Sequence, residues 1–294
     1  MYDISGDFSF SENFIEVLGI PLHYIEQGEG SPILFLHGVP TSSYLWRNVL
    51  PEVSQHARCI AVDLVGFGKS AKPDIAYTIF DHIRYINAFI KALDLKNITL
   101  VMHAWGSVIG FDYAMRHPAN IKGLAFLEAH IRPTLAKDMV ALPVQERSSI
   151  LHHQDGGYAA VIENNEYINQ VLPTGVIRRL TEQEMEYYRT PFSTPQSRKP
   201  IWQYLQDLPM GDSKTPVVDL IANYSKKLAQ SDIAKLLLYA IPGFNTSIES
   251  IIWARKHFSH LNIVEIDEAL HYAPESHPKE LSAAIAKWYQ TLPL

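Results

Sequence analysis

The sequence predicts an α/β protein: a mostly parallel sheet flanked by helices, with a helical cap inserted into the core. Short apolar runs alternate with longer helical patterns in the first third of the chain, which is typical of a sheet covered on both faces. From about residue 132 to residue 209 the pattern is helical, without a clear strand, and the alternation resumes near residue 235. We therefore predict a core formed by residues 1–131 and 213–294 and a cap formed by residues 132–212.

Eight short runs are predicted to be strands, and the first two form a hairpin turned at Gly19-Ile20-Pro21. In order along the chain, these runs are 14–18, 22–26, Pro32–Leu36, 59–62, 97–102, Ile121–Leu127, 235–240 and 262–266. Two helices stand out between them, at 79–93 and at Trp105–Arg116. The first has isoleucines at helical spacing, and Asp81 lies in its first turn, where a carboxylate suits the helix dipole.

The composition excludes several classes of protein. The chain has 294 residues, 47% hydrophobic and 19% charged, so it can bury a substantial core. Its 25 Lys and Arg against 31 Asp and Glu give a net charge of −6, which lacks the basic field that nucleic acids and anionic membranes attract. Cys59 is the only cysteine, which excludes an internal disulfide and a multi-cysteine metal site.

The same features set our expectations for partners. The N-terminus lacks a secretory signal, and no apolar run reaches the roughly 18 residues of a membrane span. We expect a cytoplasmic monomer or homodimer that binds neither nucleic acid nor membrane and uses no cofactor. No metal site is expected, because the adjacent His152 and His153 would not share one face of a helix.

Two turns at strand ends could do chemistry. After Pro32–Leu36, a turn containing Gly38 can aim backbone N–H groups into a cleft. After the strand at 97–102, a sharp turn with Ala104 leads into a helix, which is the arrangement of a nucleophile elbow. Alanine has no nucleophilic atom, and Ser107, three residues on, is interpreted as a packing or back-bonding serine rather than a displaced nucleophile.

A carboxylate and a histidine follow two further strands. Glu128 ends the strand at Ile121–Leu127, where a charge is costly unless it is paired or faces a cleft. His271 lies in the loop after the last strand, and the loop at 241–245 carries no acid. Glu128 is therefore the best partner for His271. The order Ala104, Glu128, His271 matches the nucleophile, acid and histidine order of α/β-hydrolases.

Several longer stretches carry a specific resemblance. They are HGVPTSSYLWRN at 37–48, DLVGFGKS at 63–70, HAWGS at 103–107, FLE at 126–128 with IRP at 131–133, VLP at 171–173, YRTPF at 188–192 and LHY at 270–272. With these stretches the chain resembles, over nearly its whole length, the haloalkane dehalogenase family, to which Renilla-type luciferase is also related. The resemblance implies an α/β-hydrolase fold with a cap.

The resemblance also implies roles for residues. In that family an elbow aspartate displaces the halogen and forms an alkyl-enzyme ester, and a histidine oriented by an acid activates the water that hydrolyses this ester. A tryptophan at the elbow and an asparagine after the His-Gly turn hold the leaving halide. By this match, Trp105 is the tryptophan, Glu128 the acid and His271 the base, and the substrate is a small apolar molecule, halogenated or not.

Three positions depart from the family pattern. Ala104 stands where the attacking aspartate belongs, Val39 where the halide-binding asparagine belongs, and Leu205 where a cap proline lies beside the halide. An alanine cannot form the covalent ester, so we expect essentially no dehalogenase turnover. Val39 keeps its backbone N–H but offers no side-chain donor, which costs a buried anion roughly 1.5–3 kcal/mol.

Three interpretations remain open from the sequence. The chain is a dehalogenase scaffold whose nucleophile was removed, by engineering or by natural loss; or an enzyme repurposed for non-covalent acid–base chemistry or water activation; or a non-catalytic protein that binds an apolar ligand. In each of them we expect an apolar pocket. Its predicted walls are Val39, Trp105, Phe126, Leu205, Ile241, Phe244 and Leu270, with cap residues at 142–150.

Overall fold

The computed structural model describes residues 4–133, 154–209 and 215–293. Its centre is an eight-stranded mixed sheet in the order β1-β2-β4-β3-β5-β6-β7-β8. The first three strands in this order pair antiparallel, and every pair from β4 to β8 is parallel. The strands are β1 Glu12–Val17, β2 Ile20–Gln27, β3 Pro32–Leu36, β4 Arg58–Val62, β5 Ile98–His103, β6 Ile121–Leu127, β7 Ala234–Pro242 and β8 Leu261–Ala269.

Helices cover both faces of this sheet, as predicted. They are α1 Leu50–Val53, α2 Ile79–Ala92, α3 Trp105–Arg116, α4 Gln154–Tyr158, α5 Leu172–Thr174, α6 Glu182–Arg189, α7 Lys199–Asp207, α8 Pro216–Ala229, α9 Ile248–His257, α10 Ala273–Ser276 and α11 Pro278–Tyr289. Thr78 and Asp81 form a reciprocal capping box at the start of α2, which explains the early carboxylate in that helix. No helix in the described ranges is long and apolar enough to cross a membrane.

The first hairpin turns one residue earlier than predicted. The turn consists of Leu18 and Gly19, and β2 begins at Ile20. Both turn residues have positive φ, 52° and 82°, which matches the right-handed twist of a two-residue hairpin. The last two strands extend beyond the predicted runs, because pairing between neighbours carries the hydrogen-bond ladder past the apolar stretch.

The inserted helical segment lies between β6 and β7. Residues 154–209 of this segment contain helices and helical turns and no strand, in agreement with the predicted helical cap. Residues 134–153 and 210–214 lie outside the described residues, so the boundary at 212/213 stays a prediction.

A buried ion cluster joins this segment to the core. Arg47 of the core donates to both carboxylate oxygens of Glu275, at 2.6 and 2.8 Å, and to Glu184 of α6 at 2.8 Å. Arg178 donates to the same two carboxylates, and the Tyr188 hydroxyl donates to Glu275. Two positive and two negative groups balance, which is what makes burial of these charges tolerable. The cluster therefore links the inserted helices to the segment that follows β8.

Acid should weaken this link. Burial raises the pKa of Glu184, but hydrogen bonds from Arg178 and the Thr181 backbone and the charges of both arginines outweigh it and lower the pKa from 4.5 to about 2. A depressed folded-state pKa contributes stability above pH 4.5 that is lost as the pH falls towards 2. We expect Glu184→Gln to flatten the pH dependence of the free energy of unfolding in this range, measured by urea denaturation.

The matched control is Glu186→Gln, which removes an exposed carboxylate from the same helix. This variant should keep the wild-type pH dependence. Equal slopes for wild type and Glu184→Gln between pH 4.5 and 2 would contradict the assignment of this acid limb to Glu184.

Candidate active site

The site is built at the carboxyl edge of the parallel strands, where open α/β sheets bind their ligands. Because β3, β5, β6, β7 and β8 are neighbours in the sheet, the residues that follow them meet at one edge. The sequence places Val39, Ala104, Glu128, Phe244 and His271 after these five strands.

The turn between β5 and α3 is strained and tightly packed. Ala104 has φ 46° and ψ −116°, a conformation that L-residues rarely adopt, and only 1% of it is exposed. Its N–H donates to the carbonyl of Leu127 in the neighbouring strand, and its carbonyl accepts from the Ser107 hydroxyl at 2.6 Å. Ser107 is thus a back-bonding serine, as the sequence analysis interpreted it. The elbow geometry is present, with a methyl group at its tip.

Glu128 and His271 form a direct pair at this edge. The Nδ1 of His271 lies 2.8 Å from Oε2 of Glu128, whose side chain is fully buried. The same carboxylate accepts backbone N–H bonds from Phe244 at 2.7 Å, Asn245 at 2.8 Å and Thr246 at 3.4 Å. Three backbone N–H groups already donate to this carboxylate, so it acts as the acceptor in its bond to His271. The donor in that bond is the Nδ1–H of His271, and Nε2 is the nitrogen left for chemistry.

His103 supports the loop that carries His271. Its Nε2 donates to the carbonyl of His271 at 2.9 Å, and the two rings lie 4.7 Å apart. Burial, followed by the nearby His271, lowers the pKa of His103 well below its usual value. The ring therefore stays neutral, and its hydrogen bond supports the loop that carries His271.

Trp105 begins α3 and is flanked by two polar rings. Tyr204 of α7 stands edge-on to it with ring centroids 5.1 Å apart, and His130 does so at 5.6 Å. Burial raises the pKa of Tyr204 to about 12, so its hydroxyl stays protonated. The backbone N–H groups of Trp105 and Val39 bond no acceptor within the described ranges. They are free to stabilise negative charge on an oxygen.

Contacts in the structure place two predicted wall residues, Phe244 and Val39, beside the loop that carries His271. The Phe244 ring stacks on His271 at 5.8 Å, and Leu270 directly precedes that histidine. Val39 accepts a hydrogen bond from Tyr272 on its carbonyl, and Leu205 is buried next to Tyr204. The predicted wall at 142–150 and the His152-His153 pair lie outside the described residues, and the remaining described residues contain no cluster of metal-ligating side chains.

Phe126 is placed differently from the prediction. Its ring packs edge-on against Phe111 of α3, at 5.1 Å, and the residue is fully buried. A residue inside a strand of a doubly covered sheet points into the layer between sheet and helix rather than over the strand end. Phe126 is a core residue below the site.

Sequence reasoning missed His130 and Tyr167, and it gave Tyr204 no role beyond a core or pocket-wall residue. His130 lies two residues beyond Glu128, and the Tyr167 ring stands edge-on to Tyr204 at 6.4 Å. The two tyrosines are reached only through the fold of the inserted helices, which the sequence pattern does not determine.

Comparison with known proteins agrees with this geometry. A family profile for the alpha/beta hydrolase fold matches residues 31–166. A haloalkane dehalogenase from Mesorhizobium japonicum is 38% identical over 277 residues, which cover 93% of this chain and 89% of the relative. The chain belongs to the haloalkane dehalogenase family. Another member, from Sphingobium indicum, is 38% identical and covers 96% of both chains.

Solved structures of this family share the architecture throughout. The crystal structure of the haloalkane dehalogenase DbeA from Bradyrhizobium elkani superposes with a TM-score of 0.93 at 35% identity. The match covers 96% of this chain and 98% of that one. The inserted helices and the mixed sheet are therefore the α/β-hydrolase fold of this family.

The close packing of the elbow gives a testable consequence. A Cβ on Gly106 would lie 2.5 and 2.6 Å from the backbone oxygens of Leu36 and His37, which cannot move aside without shifting β3. We expect Gly106→Ala to lower the free energy of unfolding by about 3 kcal/mol, measured by urea denaturation.

Gly156→Ala is the matched control, because a Cβ there meets no atom within 4 Å and Gly156 lies in α4. That variant should change stability by less than about 1 kcal/mol, in the stabilising direction. A Gly106→Ala protein as stable as wild type would show that the turn between β5 and α3 is looser than described.

Proposed function

We propose that this chain is a repurposed hydrolase that acts on a small, mostly apolar ester without a covalent intermediate. In this proposal Ala104 occupies the position of the family's attacking aspartate, and His271, held by Glu128, activates water directly. The backbone N–H groups of Val39 and Trp105 stabilise the oxyanion. Residues 132–212 form the cap that roofs the pocket.

One observation carries the proposal: an intact, oriented histidine faces a site without a nucleophile. Glu128 and its three backbone donors keep His271 in the tautomer with a bare Nε2, although the elbow offers only a methyl group. A carboxylate buried this deeply is costly unless it is fully bonded. The side-chain pair needed for general-base catalysis therefore remains complete after the loss of the attacking group.

The reaction follows from these groups. His271 Nε2 removes a proton from a water molecule as the water oxygen bonds to the ester carbonyl carbon. The carbonyl π electrons move to its oxygen, where the N–H groups of Val39 and Trp105 hold the negative charge. Collapse of the tetrahedral intermediate breaks the bond to the leaving oxygen, which takes the proton back from the imidazolium. The products are an acid and an alcohol, and the histidine is regenerated.

The other departures also speak for repurposing. A halide leaving group needs side-chain donors, and Val39 supplies none. Leu205 replaces a cap proline beside the family's halide site. Ala104, Val39 and Leu205 are three departures around one pocket. Loss of the nucleophile alone would account only for Ala104. A second candidate, a dehalogenase scaffold that lost only its aspartate, is favoured by one observation: the elbow keeps its strained conformation at Ala104.

The two candidates predict different results for Ala104→Asp. Under our proposal the single variant releases no halide from short bromoalkanes, and release requires Val39→Asn and Leu205→Pro as well, because the leaving halide otherwise lacks one of its two side-chain donors. Halide release is measured by ion chromatography. Robust release by Ala104→Asp alone would favour the second candidate.

The proposed hydrolysis is tested with His271→Ala and a panel of small apolar esters, beginning with phenyl acetate. We expect kcat/KM to fall by about 10²–10⁴-fold, because the general base is lost. His257→Ala, which removes an exposed histidine at the end of α9, is the control and should retain full activity. No burst of product should precede steady state, since no acyl-enzyme forms.

Turnover that survives His271→Ala would contradict the proposal. Absence of turnover with every ester, together with unchanged binding of an apolar ligand in His271→Ala, would instead support a non-catalytic binding protein.

A further inference from the structure

His130 is a second imidazole at the site, and its backbone is fixed at both ends. Its N–H donates to the Ser107 hydroxyl at 3.0 Å, and that hydroxyl donates to the carbonyl of Ala104 at the elbow. Its carbonyl accepts from the Tyr224 hydroxyl of α8. A short series of hydrogen bonds therefore connects the elbow to the backbone of His130. These bonds fix the position from which the imidazole extends.

The ring itself packs against Trp105, the first residue after the elbow, with ring centroids 5.6 Å apart. It stands edge-on to Trp105 at 84°, and 5% of the residue is exposed. Burial, followed by the electrostatic effect of nearby His271, lowers the pKa of His130 to about 4, so the imidazole is neutral near pH 7. A neutral imidazole has one N–H donor and one bare acceptor nitrogen.

One nitrogen of this ring is unpartnered. The Nε2 of His130 is buried and finds no hydrogen-bond partner in the described residues. Leaving a buried polar atom unbonded is costly, and native structures seldom do so without reason. A bound hydroxyl group at this position would satisfy the nitrogen in either tautomer, and a bound carbonyl oxygen would satisfy it when Nε2 carries the proton. A carbon-bound halogen is too weak a partner.

We propose that His130 binds an oxygen atom of the ligand and so selects oxygen-bearing apolar molecules over haloalkanes. The inference rests on the proposed function for the place of the substrate, beside Trp105 and His271. It adds a specificity-determining residue that the shared family motifs do not contain. It also gives a reason for the loss of the halide donors: the pocket now recognises a hydroxyl or carbonyl group.

The experiment compares two ligands of similar shape, cyclohexanol and chlorocyclohexane, by calorimetric titration of the full chain. We expect His130→Phe to shift the ratio of their dissociation constants by about tenfold or more towards chlorocyclohexane, because only the alcohol loses a hydrogen bond. The control is His82→Phe, which replaces another buried histidine with an unpartnered nitrogen and a pKa lowered to about 4. It should leave the ratio within twofold of wild type.

A second measurement uses the wild-type protein, so it still tests the inference if the His130→Phe variant fails to fold. In wild-type protein labelled with ¹⁵N-histidine, cyclohexanol should shift the Nε2 resonance of His130, and chlorocyclohexane should not. An unchanged ratio in folded His130→Phe, equal shifts with both ligands, or no binding of cyclohexanol would each overturn the inference. Both measurements detect binding and require no turnover. The ligand preference of His130 is therefore tested separately from the proposed ester hydrolysis, and either one can be contradicted without the other.

Discussion

The fully bonded carboxylate of Glu128 is the constraint on which the site depends. It accepts three backbone N–H bonds from the segment after β7 and one from His271 after β8. Because Glu128 directly follows β6, one buried carboxylate ties together the ends of three neighbouring strands. Each hydrogen bond to the carboxylate also fixes one of the loops after β7 and β8. The orientation of His271 therefore follows from the need to give the buried Glu128 its hydrogen-bond donors.

The methyl group of Ala104 determines which chemistry the site can do, and it does not disturb the turn between β5 and α3. The elbow keeps its unusual backbone, its bond to Leu127 and its close contact with β3. Ala104 offers no carboxylate at the elbow, and Val39 offers no side-chain donor. In our proposal the site therefore works with a base, free N–H groups and neutral polar rings. Such a set of groups suits an attack by water on a polarised carbonyl.

The residues at the strand ends could be predicted from the sequence. The contacts between side chains of different elements could not. Glu128 and His271 could be paired because parallel strands bring their carboxyl ends to one edge, whatever the loop details. Phe126 was placed in the pocket wall by proximity in sequence, but strand geometry turns its ring towards Phe111. His130 and Tyr204 meet at Trp105 only through the path of the inserted helices and the turn after β6, and no periodicity encodes that meeting.

The central claim is that Glu128 holds His271 with its proton on Nδ1 and its Nε2 bare. The ¹⁵N spectrum of His271 near neutral pH, in protein labelled at histidine, measures this directly. The account predicts a protonated Nδ1 with a strongly downfield proton, and an unprotonated Nε2. A His271 that carries its proton on Nε2, or that exchanges rapidly between the two tautomers, would contradict it.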